Sequence, residues 1–447
     1  MVHHIKGFPY QHILILGLAK TGTAVSRILH AEGFHVVASD LNAKVTDPEV
    51  KALIDLGVTV QLGEPSESLL DTCEVIIKNP GIPYTNPLLE AAGKRGIPIL
   101  TEIALLPYMI DVPTVAITGS NGKTTTTTLT EQMLARSNQK VRAAGNIGHV
   151  ATEVSYELEE DRLVLELSSF QLMGSGTFKP KVSVLLNLFA AHLDYHGDFD
   201  AYKQAKANIF AHQQADDYLV YNADNAEVVK LVQTAKATKI PFSRKEILTD
   251  GGYIRDGALF FKQQKIIDIS DIKLVGAHNL ENILASSISA LLLGATIEGI
   301  KDVLTTFTGV KHRLQFVKEQ DGVRFYNDSK ATNILATVTA LQAFNVPVRL
   351  IAGGLDRGNG FDELLPHLDH VVGLYVYGET KDKLHEVGIK QNIPTVVGET
   401  LEEMTKRAAA DAKAGDVVLL SPACASWDQF KNFEIRGDIF IDTVHTL

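Results

Sequence analysis

Thr118-Gly119-Ser120-Asn121-Gly122-Lys123-Thr124-Thr125 decides how this chain is read. The apolar, β-branched run Thr114-Val115-Ala116-Ile117 enters it like a buried strand, and Thr126, Leu129, Met133 and Leu134 leave it at helical spacing. Strand, Gly-rich turn and helix together make a phosphate-gripping loop. Gly119 and Gly122 let backbone N–H groups approach phosphate oxygens, and the helix adds the positive end of its dipole. Lys123 neutralises charge and the Thr124 hydroxyl suits Mg²⁺. The implied ligand is a nucleoside triphosphate. Two residues separate the glycines, where the common P-loop has four, so this is a shortened form of that loop.

The surrounding chain sets the scale. Its 447 residues exceed one hydrophobic core, and at roughly 150 residues per domain about three domains are expected. With 45% hydrophobic and 21% charged residues, and Gly (34) well above Pro (15), the composition is that of a globular α/β protein. A net charge of −11 argues against a nucleic-acid surface while leaving room for a local basic pocket. Cys73 and Cys424 have no metal spacing and fit a reducing cytoplasm. Met1-Val2-His3-His4 and the residues after it lack a secretory pattern. The apolar run from Ile283 to Ile297 is broken by serines and too short to span a bilayer, so it is expected as one buried helix.

Residues 1–100 alternate strands and helices, which predicts a Rossmann-like, doubly wound parallel sheet. His12–Leu16 reads as a strand, Gly17-Leu18-Ala19-Lys20-Thr21-Gly22 as a turn into a helix, and a second strand ends at Asp40. This is a weak dinucleotide fingerprint, because Ala19 stands where the pyrophosphate-admitting glycine belongs. An NAD-dependent oxidoreductase is the competing class, and the phosphate loop speaks against it. Val75-Ile76-Ile77 runs into Lys78-Asn79-Pro80-Gly81 at the carboxyl edge, where such sheets bind ligands.

Residues 101–309 form the expected P-loop ATPase-type domain. Glu166 leaves a buried strand on the phosphate-loop side, as an Mg²⁺ ligand or a solvated strand end. His192, Asp194 and His196 alternate as in a hydrolytic metal site, or His192 alone joins Glu166. Lys206 lies on a helix, either chemically special or an ordinary surface charge. Asn279 and Asn282 open the apolar helix and fit an adenine edge or helix capping by Asn279. Residues 217–275 read mainly as short strands and turns. In 310–447 a second Rossmann-like pattern places three polar loops at one sheet edge: Asn327-Asp328-Ser329-Lys330-Ala331-Thr332-Asn333, a loop from Gly353 to Asn359, and one from Ser421 to Phe430.

With these residues in hand, the chain resembles the Mur ligase family nearly end to end. That family holds ATP-dependent amide-forming enzymes of peptidoglycan precursor synthesis, and the short phosphate loop is its usual form. Ser421-Pro422-Ala423-Cys424-Ala425-Ser426-Trp427-Asp428-Gln429-Phe430-Lys431-Asn432-Phe433, with the loop from Asn327 to Asn333, is similar to the branch that adds D-glutamate to UDP-N-acetylmuramoyl-L-alanine. The Asp-Asn-Pro-Arg signature of the diaminopimelate-adding relative is absent.

The resemblance implies a cytoplasmic enzyme with no membrane span, using ATP and two Mg²⁺ ions. Lys123, Glu166, His192 and Lys206 would be catalytic, with Thr124, Glu166, His192 and a carbamylated Lys206 holding metal. Gly119 to Thr125, Asn282, Arg313 and Asp328 match ATP-binding positions. Asn146, Ser168 and Gln171 match muramoyl contacts, while Gly17, Lys20, Thr21, Asp40, Asn79 and Gly81 are the diphosphate and uridine neighbours. Lys330, Thr332, Ser426 and Phe433 match the D-glutamate side, joined by Arg357 where some relatives place a lysine. Ala191 replaces an acidic residue that many relatives carry, and Leu41 and Asn42 follow Asp40 without their basic residue.

Overall fold

A computed structural model describes residues 5–159 and 161–447. The stretch Met1-Val2-His3-His4 lies outside the described residues. The first sheet holds β1 (His12–Leu16), β2 (His35–Asp40), β3 (Thr59–Leu62), β4 (Val75–Lys78) and β5 (Ile99–Leu100). Its order is β3-β2-β1-β4-β5, with every pairing parallel. Side chains of β1 alternate between two layers. Ile13 and Ile15 enter one apolar cluster and Leu14 and Leu16 the other, so this unbroken apolar strand has both faces covered.

The second sheet holds β6 (Thr114–Thr118), β7 (Val141–Gly145), β8 (Arg162–Glu166), β9 (Val182–Leu185), β10 (Tyr218–Asn222), β11 (Thr238–Ser243), β12 (Gly252–Arg255), β13 (Ala258–Phe261) and β14 (Gln264–Asp268). In the order β14-β13-β12-β11-β10-β9-β6-β8-β7, the phosphate-loop strand β6 lies between β8 and β9. Both neighbours run parallel to it. Their carboxyl ends therefore bring the loop 119–122, Glu166 and the chain after Leu185 to one edge.

The third sheet holds β15 (Gln315–Gln320), β16 (Val323–Asn327), β17 (Val348–Gly353), β18 (Val371–Tyr377), β19 (Thr395–Val397) and β20 (Val417–Leu420), ordered β15-β16-β20-β17-β18-β19. Strands β16, β20 and β17 are parallel neighbours, so the three polar loops foreseen from the sequence leave one edge side by side.

Two compact units result. One is the chain through Asp271 together with Leu280–Thr305; the other is Ile272–Asn279 with Thr306–Leu447. No described helix is long and apolar enough to cross a membrane.

The structure departs from the sequence expectations in three places. The apolar run expected as one helix is divided between Ala277–Leu292 and Ile297–Thr306, because Gly294 turns the chain with φ +93°. A helix, Ala226–Leu231, interrupts the 217–275 region. Asn279 lies inside its helix, and its side-chain amide donates back to the Val275 carbonyl at 2.6 Å, whereas a capping side chain would accept from the first turn.

Candidate active site

The phosphate loop owes its shape to Gly122. It adopts a left-handed conformation at φ +86°, and a Cβ there would collide with Asn282 Oδ1. Asn187, directly beyond β9, holds the loop from the other side: its Oδ1 accepts from Asn121 N at 2.8 Å and its Nδ2 donates to Asn121 O at 3.2 Å. Lys123 Nζ donates to the carbonyls of Gly119 (2.9 Å) and Ser120 (3.1 Å).

Lys206 reaches the same place from the helix Phe199–Ala207. Far from being a surface charge, it is 1% exposed, and its Nζ donates to Gly119 O at 2.9 Å and Thr118 Oγ1 at 3.3 Å. Burial and the neighbouring Lys123 ammonium push its pKa well below the usual lysine value, against the pull of Glu166. A buried lysine so placed is readily deprotonated to a nucleophilic amine.

Glu166, at the end of β8, is buried. Its Oε1 accepts from Asn146 Nδ2 at 2.7 Å, while Oε2 is buried with no hydrogen-bond partner. A buried oxygen without a donor is costly, and a cation satisfies it. His192 occupies a left-handed backbone position (φ +55°). Partial burial of its ring, then Lys123 and Lys206, lower its pKa, favouring the neutral imidazole that binds metal. A hydroxyl (Thr124), a carboxylate and a neutral imidazole beside a phosphate cradle fit Mg²⁺, which keeps several waters and takes phosphate oxygens.

The alternative trio of His192, Asp194 and His196 is not built as a metal site. Among the described residues no group of three or more His, Cys, Asp or Glu side chains is arranged to hold a metal. His196 instead pairs its Nε2 with Ser169 Oγ at 3.0 Å and stacks on Phe170.

Beside this cluster lies a cavity of about 340 Å³ lined by Lys20, Thr21, Asn79, Gly81, Asn146, Ser168 and Gln171. It gathers seven of the residues matched to the UDP-linked substrate from two different sheets. Ser168 and Gln171 also form a capping box on the short helix Ser169–Leu172. Gln171 Nε2 donates to Glu102, a wholly buried carboxyl whose pKa is raised by burial. Gly17 and Asp40 stand apart from the lining. The carboxylate of Asp40 accepts from the amides of Leu18 (2.6 Å), Asn42 and Ala43 (both 2.8 Å). Burial raises its pKa, and these three donors outweigh it to give a net lowering.

The second unit has a cavity of about 560 Å³ lined by residues including Thr332, Arg357, Asn359 and Ala423 to Ala425. Arg357 lies 5.3 Å over the Trp427 ring, and Lys330 lies 5.1 Å over Phe433. Ser426 is buried outside the lining. Asp328 accepts from Leu314 N (3.1 Å) and Ser421 Oγ (2.9 Å). Burial raises its pKa to about 7, opposed by those bonds and by Arg313 and Arg436.

Sequence reasoning passed over several residues that shape these sites. Asn187 anchors the phosphate loop, and Tyr202 pairs its hydroxyl with Ser120 Oγ at 2.9 Å. Arg436, fully buried, donates to Ser329 Oγ (3.0 Å), Ser329 O (2.7 Å) and Cys424 O (3.0 Å), tying two polar loops together. A lone arginine on an amphipathic helix gives no sign of this. For Asn187 the available signal was a polar residue directly after a buried strand beside the phosphate loop.

Comparisons with known proteins agree along the whole chain. Residues 11–101 match the Mur ligase MurD-like N-terminal domain, 117–290 the Mur ligase middle domain, and 312–424 the Mur ligase glutamate ligase domain. UDP-N-acetylmuramoylalanine--D-glutamate ligase of Oceanobacillus iheyensis is 53% identical over 445 residues, covering 99% of each chain. The enzyme of the same name from Bacillus subtilis is 50% identical over 441 residues, covering 98% of each. The crystal structure of UDP-N-acetylmuramate-alanine ligase from Thermotoga maritima shares the fold with a TM-score of 0.59 at 17% identity, covering 98% of this chain and 100% of that one. With three consecutive domain models and full-length relatives at half identity, the chain belongs to the Mur ligase family.

Proposed function

We propose that this chain is an ADP-forming ligase that uses ATP to join D-glutamate to UDP-N-acetylmuramoyl-L-alanine in peptidoglycan precursor synthesis. Full-length similarity to ligases named for that reaction supports the substrates. The observation that carries the chemistry is the pairing of Lys123 and Lys206 on one loop carbonyl, Gly119 O, in a site shared with Glu166. There the Lys123 ammonium offsets charge on a transferring phosphoryl group, while Lys206, its pKa lowered by burial and by Lys123, is the neutral amine of the pair.

In this mechanism the substrate's L-alanyl carboxylate attacks the γ-phosphorus, ADP leaves, and an acyl phosphate forms. The D-glutamate amine then attacks the acyl carbon, and phosphate leaves the tetrahedral intermediate as the amide forms. Lys123 and the loop amides bind and orient the triphosphate. Asn146, Ser168 and Gln171 hold the muramoyl end so that the carboxylate faces the phosphate, and Lys20, Thr21, Asn79 and Gly81 hold the diphosphate. Lys330, Thr332, Arg357, Ser426 and Phe433 orient D-glutamate, while Asn282, Arg313 and Asp328 serve the nucleotide.

Mg²⁺, when bound, offsets charge on the phosphoryl oxygens; Thr124, Glu166 and His192 are the residues that would hold it. A second ion, and a carbamate on Lys206 as an anionic ligand, complete the proposal. The depressed basicity of Lys206 supports the latter, since only an unprotonated amine adds CO₂. The work divides among residues 1–100 for the UDP substrate, 101–309 for ATP and 310–447 for the amino acid, in the cytoplasm where ATP is made.

One assay tests the reaction. Purified protein with ATP, Mg²⁺ and the UDP substrate should release phosphate only when D-glutamate is added, and equal release with L-glutamate overturns the assignment. In the same assay Lys206→Ala should lose most activity and regain part of it with a small carboxylic acid; undiminished activity removes Lys206 from the site.

A further inference from the structure

Lys78 ends β4 with a side chain only 1% exposed, yet no ion pair engages it among the described residues. Its ammonium is caged instead by neutral groups. Nζ donates to the carbonyls of Ile82 (2.8 Å), Pro80 (3.2 Å) and, at the limit, Asn79 (3.4 Å), and to the Tyr195 hydroxyl at 3.1 Å. It also lies 4.7 Å over the Tyr84 ring and 5.8 Å over the Tyr195 ring. The Tyr195 hydroxyl in turn sits 3.0 Å from Pro80 O and 2.9 Å from Ile82 O.

The two ends of this cage do different work. Asn79, Pro80 and Gly81 line the 340 Å³ cavity. Tyr195 stands in the turn Leu193–His196, whose first amide bonds return to the His192 carbonyl from Tyr195 N (3.1 Å) and His196 N (3.0 Å). The Tyr195 ring also packs 4.4 Å from Phe170, which lines the same cavity. Burying an ammonium without a counter-ion is expensive, and burial lowers the Lys78 pKa to about 8. A methionine or leucine would fill the space at lower cost, so packing alone does not account for a lysine here.

The geometry points to Lys78 as a positioning residue: its buried ammonium locks the Asn79–Pro83 loop to the turn that presents His192, so that seating the UDP-linked substrate and placing the imidazole are one event. This rests on the ligase activity proposed above. Lys78 never touches substrate; it acts through the loop carbonyls and the Tyr195 hydroxyl. The titratable groups facing it are the phenols of Tyr84 and Tyr195, both held to about 12 by burial, with Tyr84 also raising Tyr195.

The test is a double-mutant cycle on the full-length enzyme with Lys78→Met and Tyr195→Phe. Lys78→Met keeps the aliphatic stem and removes the charge. It should raise KM for the UDP substrate and lower kcat, each about tenfold, with KM for ATP and for D-glutamate within about twofold of wild type. Tyr195→Phe keeps the ring and cuts only the link to the turn. It should lower kcat several-fold, and the double variant should lose less than the product of the two single losses. The Lys78–Tyr195 bond is common to both, while the hydroxyl's own bonds to Pro80 O and Ile82 O outlast Lys78→Met.

A purely structural Lys78 predicts otherwise: unchanged constants, or all three KM values rising together. Either result, or fully additive losses in the double variant, overturns the inference. If Lys78→Met does not fold, the kcat of Tyr195→Phe decides alone, and wild-type kcat refutes the link. Wild-type phosphate release dependent on D-glutamate, run in parallel, reports on the ligase assignment independently of these ratios.

Discussion

Asp328 shows how one buried carboxyl leaves a mark on the pH dependence of stability. Its pKa is near 7 in the folded chain, raised from 3.8 chiefly by burial. The folded state therefore binds more protons than the unfolded one between about pH 4 and pH 7. Stability from this group is fully present below pH 4, falls as pH rises through that window, and is flat above it. Asp328→Asn removes the slope, and its oxygen still accepts from Leu314 N while Ser421 Oγ turns to Thr337 Oγ1, 3.0 Å away. Urea unfolding at pH 5 and pH 8 should show the variant gaining on wild type at the higher pH, by on the order of a few kcal/mol at most. Equal differences at both values would refute the assignment. At this scale the sequence disclosed residue types better than environments. Glu166 and Lys206 were each readable as an ordinary charge, because burial depends on which strands become neighbours. Lys78 read only as the first residue of a loop at the sheet's carboxyl edge, for the same reason.

Among the elements, the phosphate-loop unit was fully legible, since strand, glycines and helix are contiguous and each constrains the next. The short helix Ser169–Leu172 was not. Ser168 and Gln171 were read as substrate contacts, yet Ser168 Oγ accepts from Gln171 N at 3.3 Å, and Gln171 Oε1 accepts from Ser168 N at 3.0 Å. Each supports the other's backbone as well as facing the cavity. Ser168→Ala should cost about 1 kcal/mol of stability through the lost cap and raise KM for the UDP substrate. Ser168→Asn, another good cap, should recover the stability; if it does not, the capping role is refuted. The strand order was also beyond local pattern. Nothing near β6 says that β8 and β9 flank it, and that order carries Glu166 and the His192 segment to the loop.

Over the whole molecule, each compact unit closes its own apolar cores. Ile117 and Leu165 are buried in the first, Leu350 and Phe440 in the second. Calorimetry should therefore resolve two unfolding transitions, with Phe440→Ala lowering only the second unit's transition by about 3–5 kcal/mol. A single transition shifted as a whole would contradict this. The three-sheet α/β architecture was legible because strand and helix periods alternate along the chain. The split of residues 272–279 from 280–305 was not, since a helix running through that point hides it. That split also matters during synthesis. The first unit is completed by Leu280–Thr305, including the Asn282 that packs on Gly122. Residue 282 must therefore leave the ribosome before the phosphate loop, made far earlier, gains this neighbour, and residue 305 before the unit is complete. Until then the apolar face awaiting Ile283 and Leu284 stays open on the nascent chain, a window for chaperones and for misassembly alike.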